Sequence, residues 1–400
     1  YETALLFKKW NPSLRLLAET SGKNSIVVTA SADIDAAVKD IIDSAFGHAG
    51  QKCSAASLVI VEQSIYNNPH FFKQLKDAVT SLKVGDPADF STSVGPLISP
   101  VNKNLSKVIE ELEEGEEWLV EPKQLESVYL WSPGVKINVQ PGSWAHQNEW
   151  FGPVLGIMNA KDLEQAVDWQ NSVPYGLTAG IQSLNEKECE YWIENVEAGN
   201  LYVNRTTTGA VVDRHPFGGW KKSSFGPTAK TGGSHYVSMF REYQPVENIE
   251  SLKYEFKLTW EEIGNKSIKL GDTESERNFK RYVPYKSILL VTEEDFSKDL
   301  ESFIFWISDL LNINIKIISQ ETLLGPDSNL DLSLFEKIRW TATSQEIPTQ
   351  IFSSGATVDE RGLSQNGKQE LLCWVKEQSI SITNHRYGNI GSGPQPFNNW

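Results

Sequence analysis

Residues 25–62 read SIVVTASADIDAAVKDIIDSAFGHAGQKCSAASLVIVE. The stretch opens on a short β-branched run, SIVVTA (25–30), which predicts a strand. Asp33 can cap a helix running from Ile34 to about Gly47, with Ile34, Val38, Ile41, Ile42 and Ala45 on one face. SLVIVE (57–62) predicts a second, buried strand. Further along, HFFKQLKDAVTSLKVG predicts a helix closed by Gly85, and VNKNLSKVIEELEEG (101–115) predicts another. DLEQAVDWQNS and EKECEYWIENVEAG add two more, the latter ending at Gly199 before the strand NLYVN. Strands alternating with helices predict an α/β architecture with a parallel-rich sheet. Upstream, YETALLFKKW is helix-like.

The style changes after about residue 241, where the chain becomes charged and poorly periodic and reads as a linker, placed at 246–280. SILLVTEE (287–294), DLESFIFWISDLLN and NIKIISQE then form a second β-α-β pattern. GKQELLCWVKEQSISIT (367–383) adds a helix and a strand, so a smaller α/β, Rossmann-like domain is expected after the first. The acidic run EELEEGEE (110–117) reads as a solvated helix end.

Composition narrows the classes. The 400 residues are 40% hydrophobic and carry a net charge of −15, which repels nucleic-acid phosphates. No run approaches the roughly 18 apolar residues of a membrane span, and the first residues lack the layout of a signal peptide. Three distant cysteines, Cys53, Cys189 and Cys373, fit a reducing cytoplasm better than a disulfide framework, and six scattered His suggest no zinc site. A chain that begins with Tyr inside a helix-like run is expected to be a piece cut within a domain.

Four stretches can carry chemistry. Cys53 sits among small residues that would admit a carbonyl, with His48 and Lys52 nearby to favour a thiolate; a buried, inert thiol is the alternative. Glu19, in LAETSGKNS (17–25), can be a partly desolvated general base or a capping carboxylate. NEWFGPVLGIMNA (148–160) offers Glu149 for ribose hydroxyls and Phe151 for a flat heterocycle, or plain packing. In NRTTTGAVVDRHPFGGWKKSSFG (204–226) the backbone N–H groups of Gly209 and Ala210 can form a small nest for a carboxylate, or the segment is a generic loop.

Taken together, F-x-x-x-G-Q-x-C-S (46–54), E-T-S-G-K-N (19–24), E-W-F-G-P (149–153) and PFGGWKKSSFG resemble, in order, the cysteine, glutamate, cofactor-ribose and closing-loop signatures of the aldehyde dehydrogenase superfamily. SAFGHAGQKCSAASL, VPYGLTAGIQS and NRTTTGAVVDRHPFGGWKKSSFGPTAKTGG look like the glutamate-semialdehyde (pyrroline-5-carboxylate) dehydrogenase module of the bifunctional proline utilization A family, over about residues 1–240. SERNFKRYVP and ELLCWVKEQSISITNHRYGN are similar to the aldehyde-dehydrogenase-like, non-catalytic C-terminal domain of its longer members. The resemblance implies a remnant of the NAD-binding domain at 1–27, a catalytic domain at 28–220, a return segment at 221–245 and the C-terminal domain at 281–400.

It also implies an NAD-dependent oxidation of L-glutamate γ-semialdehyde to glutamate. Cys53 would be the nucleophile and Glu19 the base that activates water. Glu149 and Phe151 would hold the cofactor, and Ser54, Gly209, Ala210 and Phe217 the substrate. The adenosine pocket, the oxyanion-hole Asn and an FAD-dependent proline dehydrogenase domain are expected upstream of Tyr1, leaving the isolated chain poorly active; the longer protein is expected to be a cytoplasmic homo-oligomer. Two alternatives stay open: an NAD(P)-dependent aldehyde dehydrogenase of another substrate, and a non-catalytic module that seals a tunnel or assembles subunits.

Overall fold

The computed structural model describes residues 1–227, 229–271, 273–326, 328–344, 346–383, 385–386 and 389–390. Asn384, Tyr387 and Gly388 of the ELLCWVKEQSISITNHRYGN stretch, and residues 391–400 of the expected C-terminal domain, lie outside the described residues. The chain divides into two compact units. One comprises Ser21–Ala210 with the described residues of 271–278 and 380–390; the other comprises Tyr1–Thr20 with the described residues of 211–270 and 279–379.

The unit built on 21–210 is an α/β layer structure. In chain order its main elements are β1 (Asn24–Val28), α1 (Ile34–Phe46), β2 (Ala56–Glu62), α2 (Pro69–Thr80), α3 (Lys103–Glu110), β3 (Glu117–Val120) and β4 (Gly134–Ile137). They are followed by β5 (Val154–Ala160), α4 (Leu163–Asn171), β6 (Thr178–Gln182), α5 (Glu186–Asn195) and β7 (Asn200–Val203). Within this unit the strand order is β7-β6-β1-β2-β5-β4-β3. Every neighbouring pair is parallel except β3 with β4, with Ile26 opposite both Val59 and Gly180. Ile26, Val27, Val28, Val59, Ile60 and Val61 are fully enclosed, as strands covered on both faces must be.

Helix α1 forms for the reasons legible in its sequence. Asp33 Oδ1 accepts the N–H groups of Asp35 and Ala36 at 3.1 and 3.2 Å. Val38, Ile41, Ile42 and Ala45 are buried, while Ile34 is only half-buried. Three expected helices stop short, α5 among them, which ends at Asn195 rather than at Gly199. Helix α2 ends at Thr80, well before Gly85, and α3 ends at Glu110. The acidic run that follows α3 is not wholly solvated, because Glu116 is buried and bonds Lys136 Nζ at 3.0 Å.

The second unit contains a four-stranded parallel sheet. Its elements are α6 (Ile249–Ile263), β8 (Ser287–Thr292), α7 (Lys298–Leu311), β9 (Asn314–Ser319), β10 (Lys337–Trp340), β11 (Thr357–Asp359) and α8 (Gly367–Leu372). The strand order is β9-β8-β10-β11. Helix α6 corrects the reading of 246–280 as a linker. Leu252, Phe256, Trp260 and Ile263 recur at helical spacing and pack with Phe303, Ile304 and Ile307 of α7. The charged residues between them occupy the other face, which masked the period. The unit also buries charge: Arg339 donates to both carboxylate oxygens of Glu370, each side chain fully enclosed. Among the described residues no helix is long and apolar enough to cross a membrane.

Candidate active site

Cys53 lies on the loop between α1 and β2 and is exposed, whereas Cys189 and Cys373 are buried. The chain reaches it through three consecutive left-handed residues, His48, Ala49 and Gly50, with φ of 54°, 54° and 67°. A Cβ on Gly50 would lie 2.3 Å from the carbonyl oxygen of Gly152, so only glycine permits this approach.

Side chains from other elements pin the loop. Asn24, at the start of β1, donates from Nδ2 to the carbonyls of Cys53 and Ala55 at 2.7 and 2.9 Å, and accepts Thr178 N–H at 3.0 Å. Thr207 Oγ1 donates to Ser54 O at 2.8 Å. Gln51 donates from Nε2 to Phe151 O at 3.3 Å and accepts Ile98 N–H at 2.9 Å. Nothing local in the sequence marks Asn24 or Thr207: ETSGKN contains Asn24, but its partners lie 29 or more residues away.

The Glu149–Phe151 turn belongs to the same unit. Glu149 Oε1 accepts Gly22 N–H at 3.0 Å, and Asn104 Nδ2 bonds its backbone carbonyl at 2.9 Å. Burial pushes the Glu149 carboxyl above its ordinary value, opposed by the Gly22 N–H, Ser21 and the nearby Lys23. Lys23 is itself buried, with Nζ 3.1 Å from the centroid of the Trp150 ring, and desolvation holds it well below the usual lysine range. Phe151 is half-buried and left-handed, at φ 53°. Ser54 is buried, whereas Gly209 (φ 88°) and Ala210 are exposed.

Glu19 and Phe217 fall in the other unit. Glu19 pairs with Ser224 in a short antiparallel ladder, and its Oε1 accepts the Thr231 hydroxyl at 3.0 Å. Phe217 and Thr231 exchange backbone hydrogen bonds of 2.9 and 2.8 Å. Glu19 is exposed, but its carboxylate lies close to Gly218, and desolvation raises it above the ordinary glutamate value; Thr231 and Lys230 pull it back. Thus Thr231 brings Glu19 and Phe217 together in one unit. The other candidates, Cys53, Ser54, Glu149, Phe151, Gly209 and Ala210, share the unit built on 21–210.

Residues 8–246 match the aldehyde dehydrogenase family. The chain belongs to that family. A 1-pyrroline-5-carboxylate dehydrogenase of Geobacillus sp. (strain WCH70) is 37% identical over 237 residues, covering 59% of this chain and 45% of the relative. One from Staphylococcus saprophyticus is 38% identical over 245 residues, with the same shares. The structure of proline utilization A from Corynebacterium freiburgense aligns at 40% identity and a TM-score of 0.86, over 97% of this chain and 41% of that one. The NAD-bound 1-pyrroline-5-carboxylate dehydrogenase from Thermus aligns at 37% identity and a TM-score of 0.52, over 56% of this chain and 43% of that one. This aldehyde dehydrogenase family member therefore spans less than half the length of the curated relatives it matches.

Proposed function

We propose that the protein to which this chain belongs oxidises L-glutamate γ-semialdehyde to L-glutamate with NAD. The observation that carries the reading is the exposed thiol of Cys53, on a loop that Asn24 and Thr207 lock and that Gln51 ties to Phe151. The names of the relatives support the substrate, and the NAD-bound Thermus structure supports the cofactor. The donor set here fits a nucleotide ribose: a half-exposed carboxylate, Glu149, has one oxygen anchored on a backbone N–H. Glu149 and Phe151 would hold NAD, which when bound supplies the hydride acceptor.

The remaining work falls to side chains of the protein. The Cys53 thiolate attacks the aldehyde carbon and forms a thiohemiacetal. Because Asn24 already fixes the carbonyls on both sides of Ser54, the loop needs little reorganisation as charge develops. After oxidation to the thioester, the Glu19 carboxylate takes a proton from water, the water oxygen attacks the carbonyl, and the C–S bond breaks to return the thiolate. Ser54 and the N–H groups of Gly209 and Ala210 would receive the substrate carboxylate, with Phe217 against its aliphatic stem. We place the reaction in the cytoplasm of the source organism and in a homo-oligomer. We read 28–220 as the catalytic domain and 281–400 as a non-catalytic sealing or assembly domain. For 281–400 the favouring observation is Cys373, buried and packed among Leu371, Trp374 and Val375.

The test compares kcat/KM for glutamate semialdehyde and for pentanal, using the enzyme with all its natural flanking sequence. Donors left unpaired by pentanal should cost it a factor of about 10³ or more. Equal efficiency would overturn the substrate and favour a general aldehyde dehydrogenase.

A further inference from the structure

Lys230 is 4% exposed and lies among carboxylates. Its Nζ donates to the Gly218 carbonyl at 2.5 Å, and its backbone N–H donates to Glu377 Oε2 at 3.1 Å. The next residue supplies the hydroxyl that bonds Glu19 Oε1. Gly218 touches both residues: a Cβ there would lie 3.5 Å from Glu19 Oε1 and 3.6 Å from Lys230 Cα, and its carbonyl accepts Lys230 Nζ. Further charge surrounds Glu377, whose Oε1 is 4.0 Å from His235 Nε2. That ring nitrogen is 2.6 Å from the Tyr282 hydroxyl, and Lys280 also acts on Glu377.

Burying a lysine is costly unless an opposite charge offsets it. For packing alone, a neutral side chain of similar length would serve. We propose that Lys230 is a positioning residue for Glu19: its enclosed charge, held on the Gly218 carbonyl, keeps the Glu19 carboxylate ionised while Thr231 aims Oε1. This rests on Glu19 being the base of the proposed reaction. The electrostatics agree with the geometry. Burial brings the Lys230 ammonium down to about 7 against the pull of Glu377 and Glu19, and Lys230 in turn lowers the raised Glu19 carboxyl. Each group sustains the charge of the other.

Deacylation isolates the effect, because it needs the base but no hydride transfer. In the enzyme with its natural flanking sequence, p-nitrophenyl acetate acylates Cys53 as the ester C–O bond breaks and p-nitrophenolate leaves. The steady rate after that burst reports hydrolysis of the acetyl thioester, in which water loses a proton to Glu19. Lys230→Gln and Lys230→Met should both shift the acid limb of this rate to higher pH by about one unit, since the lost cation raises the Glu19 pKa; Lys230→Arg should restore it. A Lys230 that only supports the fold would change the amplitude, through lost protein, and leave the limb in place; an unmoved limb in whichever neutral variant folds overturns the proposal. Glu19→Gln separates the two ideas. If it abolishes deacylation while the neutral Lys230 variants leave the limb unmoved, only the role of Lys230 falls; if deacylation survives it, Glu19 is not the base and both fall.

Discussion

Burial raises the thiols of Cys189 and Cys373, the first to about 12, whereas Cys53 is exposed on its loop. A thiolate is the reacting species, so accessibility and ionisation act together. Iodoacetamide at neutral pH should therefore label Cys53 in the folded protein, and peptide mapping should find Cys189 and Cys373 modified only after unfolding. Gly50 is the residue on which that loop turns. Its left-handed φ is strained for any other side chain, and the atom a Cβ would strike is a backbone oxygen that no rotamer change can move. Gly50→Ala should cost at least about 2 kcal/mol in denaturant unfolding. It should also change the rate of Cys53 alkylation, because the loop must shift away from Gly152. A normal melting curve with an unchanged alkylation rate would show that the turn does not hold the thiol.

At the scale of the element, helix α6 shows how a charged stretch folds. Its apolar side chains at 252, 256, 260 and 263 form one stripe, and Phe256 packs edge-on against both Phe303 and Trp306 of α7. Phe256→Ala should destabilise its unit by about 3–5 kcal/mol, through lost burial and the cavity left behind. Tyr254, two residues away, is 67% exposed, and Tyr254→Ala should change stability by no more than about 0.5 kcal/mol. Equal effects in urea titrations would mean that 249–263 behaves as a tether rather than as a packed helix. Helix α1 depends on its cap as well as its stripe, so Asp33→Ala should cost about 1 kcal/mol.

For the molecule as a whole, acid should act partly through His146. This residue is fully buried; its Nδ1 accepts Gly142 N–H at 2.9 Å, and its Nε2–H donates to Trp169 O at 3.0 Å. Protonation would remove the acceptor, and burial, the largest effect, lowers the imidazole to about 4. The unfolded chain therefore binds a proton that the folded chain refuses between about pH 6.5 and 4. Stability from this group is complete above the unfolded value and is lost as pH falls toward the folded one, by about 3 kcal/mol. Urea midpoints measured across that window should fall with pH, and His146→Gln should flatten the slope; an equal slope in the variant would exclude the imidazole as its source. How much of all this was legible beforehand depends on range along the chain. The β1-α1-β2 run, the cap at Asp33 and the candidate residues Cys53, Glu19 and Glu149 were readable because apolar period, capping and short signatures are local properties. The helix in 249–263, the burial of Glu116, the Asn24 clamp on Cys53 and the Lys230–Gly218–Glu19 arrangement were not. Charged residues masked the period of the helix, while the other three join residues up to 212 positions apart, as with Thr231 and Glu19. The sequence by itself determined most of the strands and helices, though not all of their ends, and which side chains are candidates for chemistry. Only the tertiary structure decided which of those side chains lose water and which polar groups meet them, since desolvation and hydrogen-bond partners belong to the packed chain and not to any stretch of it.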